Sequence, residues 1–161
     1  MVTPIIPATP SCVAGSPEQT RTTRYDPSVP ALDRNDLGKG SLSQFRGVLV
    51  PVNVRVRVRL AGSNQFQQEL KVIVESGERP LTTATARRTQ QQEGADTEIE
   101  VRLFTGSRVT GPVGLVPRGL ESAMDEALSR LDINGQSQRI PVEVVRKRGL
   151  FRVDLLIGQT R

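Results

Sequence analysis

The sequence predicts an α+β fold that is mostly antiparallel β, arranged as a small curled sheet or a partly open barrel, with one amphipathic helix and an extended N-terminal arm. Three observations carry this prediction. Apolar side chains alternate with polar ones in several segments, one stretch has apolar residues at helical spacing, and prolines are concentrated before residue 46. The 161-residue chain is therefore divided into an arm over 1–45 and a compact β-rich domain over 46–161.

The arm is predicted from its composition. It holds six of the eleven prolines, and much of the rest is Ser and Thr. Such a segment cannot bury enough apolar surface to offset the entropy lost on ordering, so extended chain is expected. We expect its short apolar patches to dock into grooves on a partner, through Ile5, Ile6, Val29 and Leu32. We also expect residues 46–161 to fold without it.

The first strand of the domain is predicted over Val48–Leu60, where valines alternate with Asn53, Arg55, Arg57 and Arg59. This period-two pattern indicates a long strand with one buried face. Glu69–Glu75 reads as a second strand, with Leu70, Val72 and Val74 inward, and 76–97 as a long polar loop.

Alternation resumes over Thr97–Phe104, with Glu98 and Glu100 pointing outward. A turn follows, and then a short strand over Val113–Val116. The helix is predicted at about Gly119–Leu131, because its apolar residues form one stripe while Glu121 and Asp125 fall on the opposite, exposed side. Arg139–Arg146 and Leu150–Ile157 then form a predicted β-hairpin.

The composition excludes several kinds of chemistry. The chain has no His and a single Cys, Cys12. Catalysis by a Ser-His-Asp or Cys-His pair, an imidazole metal site, an intramolecular disulfide and a Cys-cluster zinc site are therefore excluded. We expect no enzymatic activity, no metal and no cofactor.

Basic residues are the sharpest local feature. The net charge is +5, and charges cancel over 1–45, so the excess lies in the compact domain. Arg55, Arg57 and Arg59 are spaced about 6.6–6.8 Å apart if they lie on a strand, which is close to the phosphate spacing of a nucleic-acid strand. A salt-bridge ladder with Glu98 and Glu100, a nucleic acid and an acidic protein partner all fit this stripe.

A second basic cluster, Arg146, Lys147 and Arg148, lies at the turn of the predicted hairpin. This turn suits contact with phosphate or with an acidic protein surface, or it is simply solvated.

The C-terminal half resembles one known family. Val113-Gly114-Leu115-Val116-Pro117-Arg118, a helix, Pro141-Val142 and a closing hairpin over residues 113–157 are similar to the C-terminal part of a HIRAN domain. Leu115 stands where that family has an aromatic residue. The resemblance implies a small β-rich module which, in some helicase-like proteins, binds DNA ends.

The expected function is that of a non-enzymatic structural or assembly protein, such as a decoration or connector component of a virus or phage particle. Its partners would be other protein subunits of a larger assembly, in which it would be oligomeric. A HIRAN-like nucleic-acid-binding module is the alternative. Prolines interrupt the first ten residues, and no run approaches the roughly 20 apolar residues of a membrane span, so a virion or cytoplasmic location without a membrane partner is expected.

Overall fold

A computed structural model describes residues 32–161, which belong to one compact unit. The strands are β1 (Phe45–Arg46), β2 (Val50–Pro51), β3 (Val58–Arg59), β4 (Leu81–Thr83), β5 (Glu100–Thr105), β6 (Arg108–Leu115), β7 (Pro141–Lys147) and β8 (Leu150–Leu155). The helices are α1 (Gln67–Ser76), α2 (Gln90–Gly94) and α3 (Glu121–Ile133).

The fold class is confirmed: the unit is α+β, and its main sheet is a curled antiparallel half-barrel. Six strands follow the order β3-β8-β7-β4-β5-β6. The two edges of this sheet approach each other just after β3, where Ala61 and Leu115 exchange two backbone hydrogen bonds of 2.8 Å. Buried apolar side chains of the strands, α1 and α3 form one core inside the curl.

Gly114 permits the close approach at this seam. A Cβ at this position would lie 2.8 Å from the Ala61 carbonyl oxygen and 2.9 Å from Leu60 Cβ. Neither neighbour can move freely, since one is backbone and the other is a fully buried side chain. The seam therefore requires glycine at this point of β6.

We expect Gly114→Ala to lower the free energy of unfolding by about 1–3 kcal/mol, because a methyl group there overpacks the seam. Gly111→Ala is the matched control on the same strand, where the nearest neighbour is the Glu69 carboxyl group at 3.6 Å. Urea denaturation of the two variants measures the difference. Equal stability of both would contradict this account of the seam.

Helix α3 and the β7–β8 hairpin confirm their predictions. The apolar stripe of α3 is buried as expected: Leu120, Ala123, Met124, Ala127, Leu128 and Leu131. The opposite side is less exposed than predicted, because Glu121 and Asp125 are also buried. Asp125 accepts hydrogen bonds from the backbone N–H of Arg88 at 3.0 Å and from its Nε at 2.8 Å, so it anchors the segment before α2.

The prediction of one long strand over Val48–Leu60 is wrong over most of its length. Only Val50–Pro51 and Val58–Arg59 are strand, and a bend and turn over residues 52–55 lie between them. The Asn53 side chain accepts a hydrogen bond from the Arg55 N–H at 2.8 Å, and such an Asx turn competes with strand pairing. Alternate burial holds only from Val56 to Leu60.

The predicted strand over Glu69–Glu75 is also wrong, since these residues lie in helix α1. Leu70 and Ile73 are buried one helical turn apart, while Val72 is 60% exposed. Gly77, with φ of 65°, ends the helix in the left-handed conformation. The predicted loop over 76–97 contains β4 and α2, so residues 32–161 hold three α-helices where a single helix was expected.

Residues 32–45 are part of the compact unit and not of an arm. Asp36 and Phe45 are buried, and residue 39 pairs with β3. The boundary of the compact unit therefore lies earlier than the sequence predicts, because this segment fills the gap beside the β3 edge.

Candidate functional site

A groove of about 350 Å³ is lined by all three arginines of the basic stripe, Arg55, Arg57 and Arg59. Its cationic lining residues are Lys39, Arg55, Arg57 and Arg59, and the others are Gly40, Ser41, Gln44 and Asp154. We call this feature the basic groove. It combines residues of the stretch 32–44, which we call the N-terminal segment, with residues of the turn before β3, of β3 itself and of β8.

The N-terminal segment is held against β3 by backbone hydrogen bonds. Lys39 donates to the Arg59 carbonyl oxygen at 3.0 Å, and Arg59 donates to that of Lys39 at 2.7 Å. Gly38 precedes them with φ of 78°, and a Cβ there would lie 2.6 Å from the Arg59 oxygen. The left-handed glycine thus lets the segment approach closely enough to place Lys39 in the groove.

A buried ion pair also holds the N-terminal segment in place. An Asp36 carboxylate oxygen lies 2.5 Å from Arg152 Nη1, and the two side chains are only 2% and 7% exposed. The other Asp36 oxygen accepts the Asn64 N–H at 2.9 Å, and the Asp36 carbonyl accepts the Gly62 N–H at 2.9 Å. These bonds position the segment that carries Lys39.

Two of the groove arginines are neutralised by neighbouring carboxylates. Asp154 accepts two hydrogen bonds from Arg59, at 2.7 and 2.8 Å, and this bidentate pairing raises the pKa of the Arg59 guanidinium. Arg57 pairs with Glu143 on β7. Arg59 therefore meets an acid on the adjacent strand β8, whereas the acid that pairs with Arg57 lies on β7, one strand further away.

The predicted ladder partners, however, are wrong. Glu98 pairs with Arg118 at 3.0 Å, and Glu100 pairs with Arg102 at 3.1 Å. The physical reason is topological, because β5 lies four strands away from β3 in the main sheet and β8 is the neighbour of β3.

Lys39 and Arg55 form no ion pair with any residue from 32 to 161. Arg55 is exposed, so its guanidinium is open to a ligand. With Arg57 and Arg59 each paired to a carboxylate, the groove has a surplus of two cations, Lys39 and Arg55. Its surplus charge suits an anionic ligand.

The remaining predicted residues lie elsewhere. Arg146, Lys147 and Arg148 are exposed at the β7–β8 turn, and the Arg146 guanidinium lies 5.9 Å from the centre of the Phe151 ring. Leu32 is half-buried by residues of its own chain, because it lies beside Gly62 and Leu115. A Cβ atom placed on Gly62 would be within 4 Å of both Leu32 Cδ2 and Leu115 Cδ1. Ile5, Ile6 and Val29 lie outside the described residues.

Five groove residues were missed from the sequence: Lys39, Gly40, Ser41, Gln44 and Asp154. The first four lie in the stretch read as an arm, and Asp154 is 95 residues from its partner Arg59. The only local hint is Asp154 itself, a carboxylate in a strand whose other residues, apart from Arg152, are apolar. A buried acid in such a strand usually has a cationic partner.

Comparisons of the chain with protein-family profiles, curated proteins and solved structures gave no match. Over residues 32–161, no group of three or more His, Cys, Asp or Glu side chains is placed to hold a metal ion. In the same range no helix has both the length and the apolar character to cross a membrane.

Proposed function

We propose that this protein is a nucleic-acid-binding module that holds a single strand in the basic groove. The observation that carries the proposal is the convergence of Lys39, Arg55, Arg57 and Arg59 on one groove, with two of these cations lacking a carboxylate partner among residues 32–161. Phosphate contacts dominate the affinity of proteins for nucleic acids.

The chemistry of the groove favours backbone contact over base recognition. Lys39 and Arg55 are available for phosphates, and the Ser41 hydroxyl adds a neutral donor. The groove has no aromatic lining residue on which bases could stack, so its affinity would be electrostatic and tolerant of sequence. The similarity of residues 113–157 to a HIRAN domain also supports this proposal, since some members of that family bind DNA.

The test is binding of a fluorescein-labelled single-stranded oligonucleotide to the full chain, followed by anisotropy. We expect the Lys39→Ala/Arg55→Ala double variant to bind at least about tenfold more weakly near 0.15 M salt. The slope of log K against log salt should become shallower by about 0.7 for each lost phosphate contact.

The matched control is Lys71→Ala/Arg108→Ala, which removes the same charge from exposed positions outside the groove. If both double variants weaken binding equally, the effect is one of net charge and the groove is not the site. If the parent chain binds no oligonucleotide even at low salt, nucleic acid is excluded as its ligand.

A structural subunit of a larger assembly, such as a virion component, is the second candidate. It is favoured by several exposed apolar side chains early in the described chain: Leu37, Leu42, Val48 and Val54 are 52–71% exposed. Val48→Ser/Val54→Ser should then reduce self-association or co-assembly of the full chain, as measured by light scattering after size exclusion. A monomeric parent chain that recruits no partner subunit would count against this role.

A further inference from the structure

Strand β7 has one edge that is mostly unpaired within residues 32–161. On one side it pairs with β8 along its whole length, from Val142↔Leu155 to Lys147↔Leu150. On the other side β4 pairs only with Pro141 and Val142. The edge from Glu143 to Lys147 therefore has no neighbouring strand in this part of the chain.

Hydrogen-bonding directions show which residues face this edge. Ile140 accepts the Thr83 N–H from the β4 side at 2.9 Å, while Pro141 accepts the Leu156 N–H from the β8 side at 2.8 Å. Directions alternate along a strand, so Val144 and Arg146 turn their N–H and C=O groups toward the open edge. No residue from 32 to 161 pairs with these groups, so they can pair with an added strand.

The surroundings of the edge are basic. Arg146 and Lys147 end the edge, and Arg148 follows at the turn. An adjoining depression of about 580 Å³ is lined by Arg57, Arg79 and Val144 among others. Glu143 is the one carboxylate there, and Arg57 pairs with it. A second depression, beside Arg146, holds Glu75, which pairs with Lys71. Cations therefore outnumber carboxylates around the edge, and each of these two carboxylates already has a cationic partner.

We infer that the open β7 edge binds an extended acidic segment of a partner protein by strand addition. Main-chain hydrogen bonds to Val144 and Arg146 supply the pairing, and the cations around the turn select acidic side chains. A second copy of this chain is disfavoured, because two basic edges repel each other. This inference does not require a ligand in the basic groove, although Arg57 borders both sites.

The test uses the full chain and a labelled peptide of alternating Val and Glu, with a Val-Lys peptide as the charge control. Val144→Pro removes one of the two N–H groups that face the open edge. It leaves the hydrogen bonds to β8 intact, and proline is tolerated at such edge positions. We expect it to weaken peptide binding by at least about tenfold, and Val144→Ala by much less.

A second measurement does not depend on that variant folding. The same peptide, N-methylated at alternate residues so that it cannot pair, should lose binding to the parent chain. Arg146→Glu/Arg148→Glu should weaken binding of the acidic peptide, whereas the groove variant Lys39→Ala/Arg55→Ala should bind it normally.

Several results overturn the inference. One is equal binding of the methylated and unmethylated peptides, which would indicate a general polyanion surface without strand pairing. Displacement of the peptide by a single-stranded oligonucleotide, with no loss in the Val144→Pro variant, leads to the same conclusion. Absence of peptide binding to the parent chain also rejects it.

Discussion

Asp36→Ala is expected to lower the free energy of unfolding by about 3–5 kcal/mol. The substitution leaves the Arg152 guanidinium buried without its partner, since both side chains are at least 93% shielded from solvent. It also removes the acceptor of the Asn64 N–H. Urea denaturation, with the midpoint and slope compared against the parent chain, measures the loss.

The control for this variant is an exposed ion pair of the same kind. Glu143→Ala breaks the pair with Arg57, in which the two side chains are about half exposed, and should cost no more than about 1 kcal/mol. In addition, Asp36→Leu/Arg152→Met should recover much of the stability lost in Asp36→Ala, because it leaves no unpaired buried charge. A double variant as unstable as the single one would show that the segment is held by something other than this pair.

The same substitution bears on the groove. Asp36 holds the N-terminal segment in place, and three residues later this segment places Lys39 beside Arg59. Asp36→Ala should therefore also weaken oligonucleotide binding under conditions where the chain remains folded. Unchanged binding would mean that the backbone bonds between Lys39 and Arg59 suffice to hold the groove.

The elements that the sequence predicts correctly are those in which the spacing of apolar side chains fits only one type of secondary structure. Helix α3 repeats its apolar stripe over more than three turns, and no strand register would bury the same residues. The β7–β8 hairpin combines two alternating runs with Gly149 at the turn, where φ is 81°. Local pattern and tertiary burial agree in both places.

The elements that it predicts wrongly are those in which the local spacing of apolar side chains fits more than one type of secondary structure. In residues 69–75 the apolar positions 70, 72 and 74 suit a strand, while positions 70, 73 and 74 suit a helix. Burial of Leu70 and Ile73 decides for the helix, and it depends on strands far away in the chain. In residues 48–60 the valines favour a strand, but the Asn53 turn divides it.

The groove is harder to predict than the fold. Arg55, Arg57 and Arg59 stand out in the sequence, but whether each is free depends on which strand lies beside β3. The sequence suggested Glu98 and Glu100 as partners because their spacing and charge match the stripe. Only the sheet order shows that Asp154 and Glu143 take that role and that Arg55 is left available.

Truncation gives the sharpest test of where the compact unit begins. A chain of residues 46–161 lacks Asp36, the backbone partner of Arg59 and the buried ring of Phe45. Arg152 is then buried without a carboxylate, and the outer edge of β3 is unpaired at Arg59. The structure therefore predicts that this chain is severely destabilised, contrary to what composition alone suggests.

A chain of residues 32–161 is the matched comparison, because it keeps every contact that the structure describes. We expect it to unfold cooperatively, whereas 46–161 should either show no cooperative transition or melt at least about 10 °C lower. Calorimetry of both chains at the same concentration, together with far-UV circular dichroism, measures the difference. Equal melting temperatures would mean that 32–45 is an arm after all, and that the Asp36–Arg152 pair contributes little to holding the half-barrel closed.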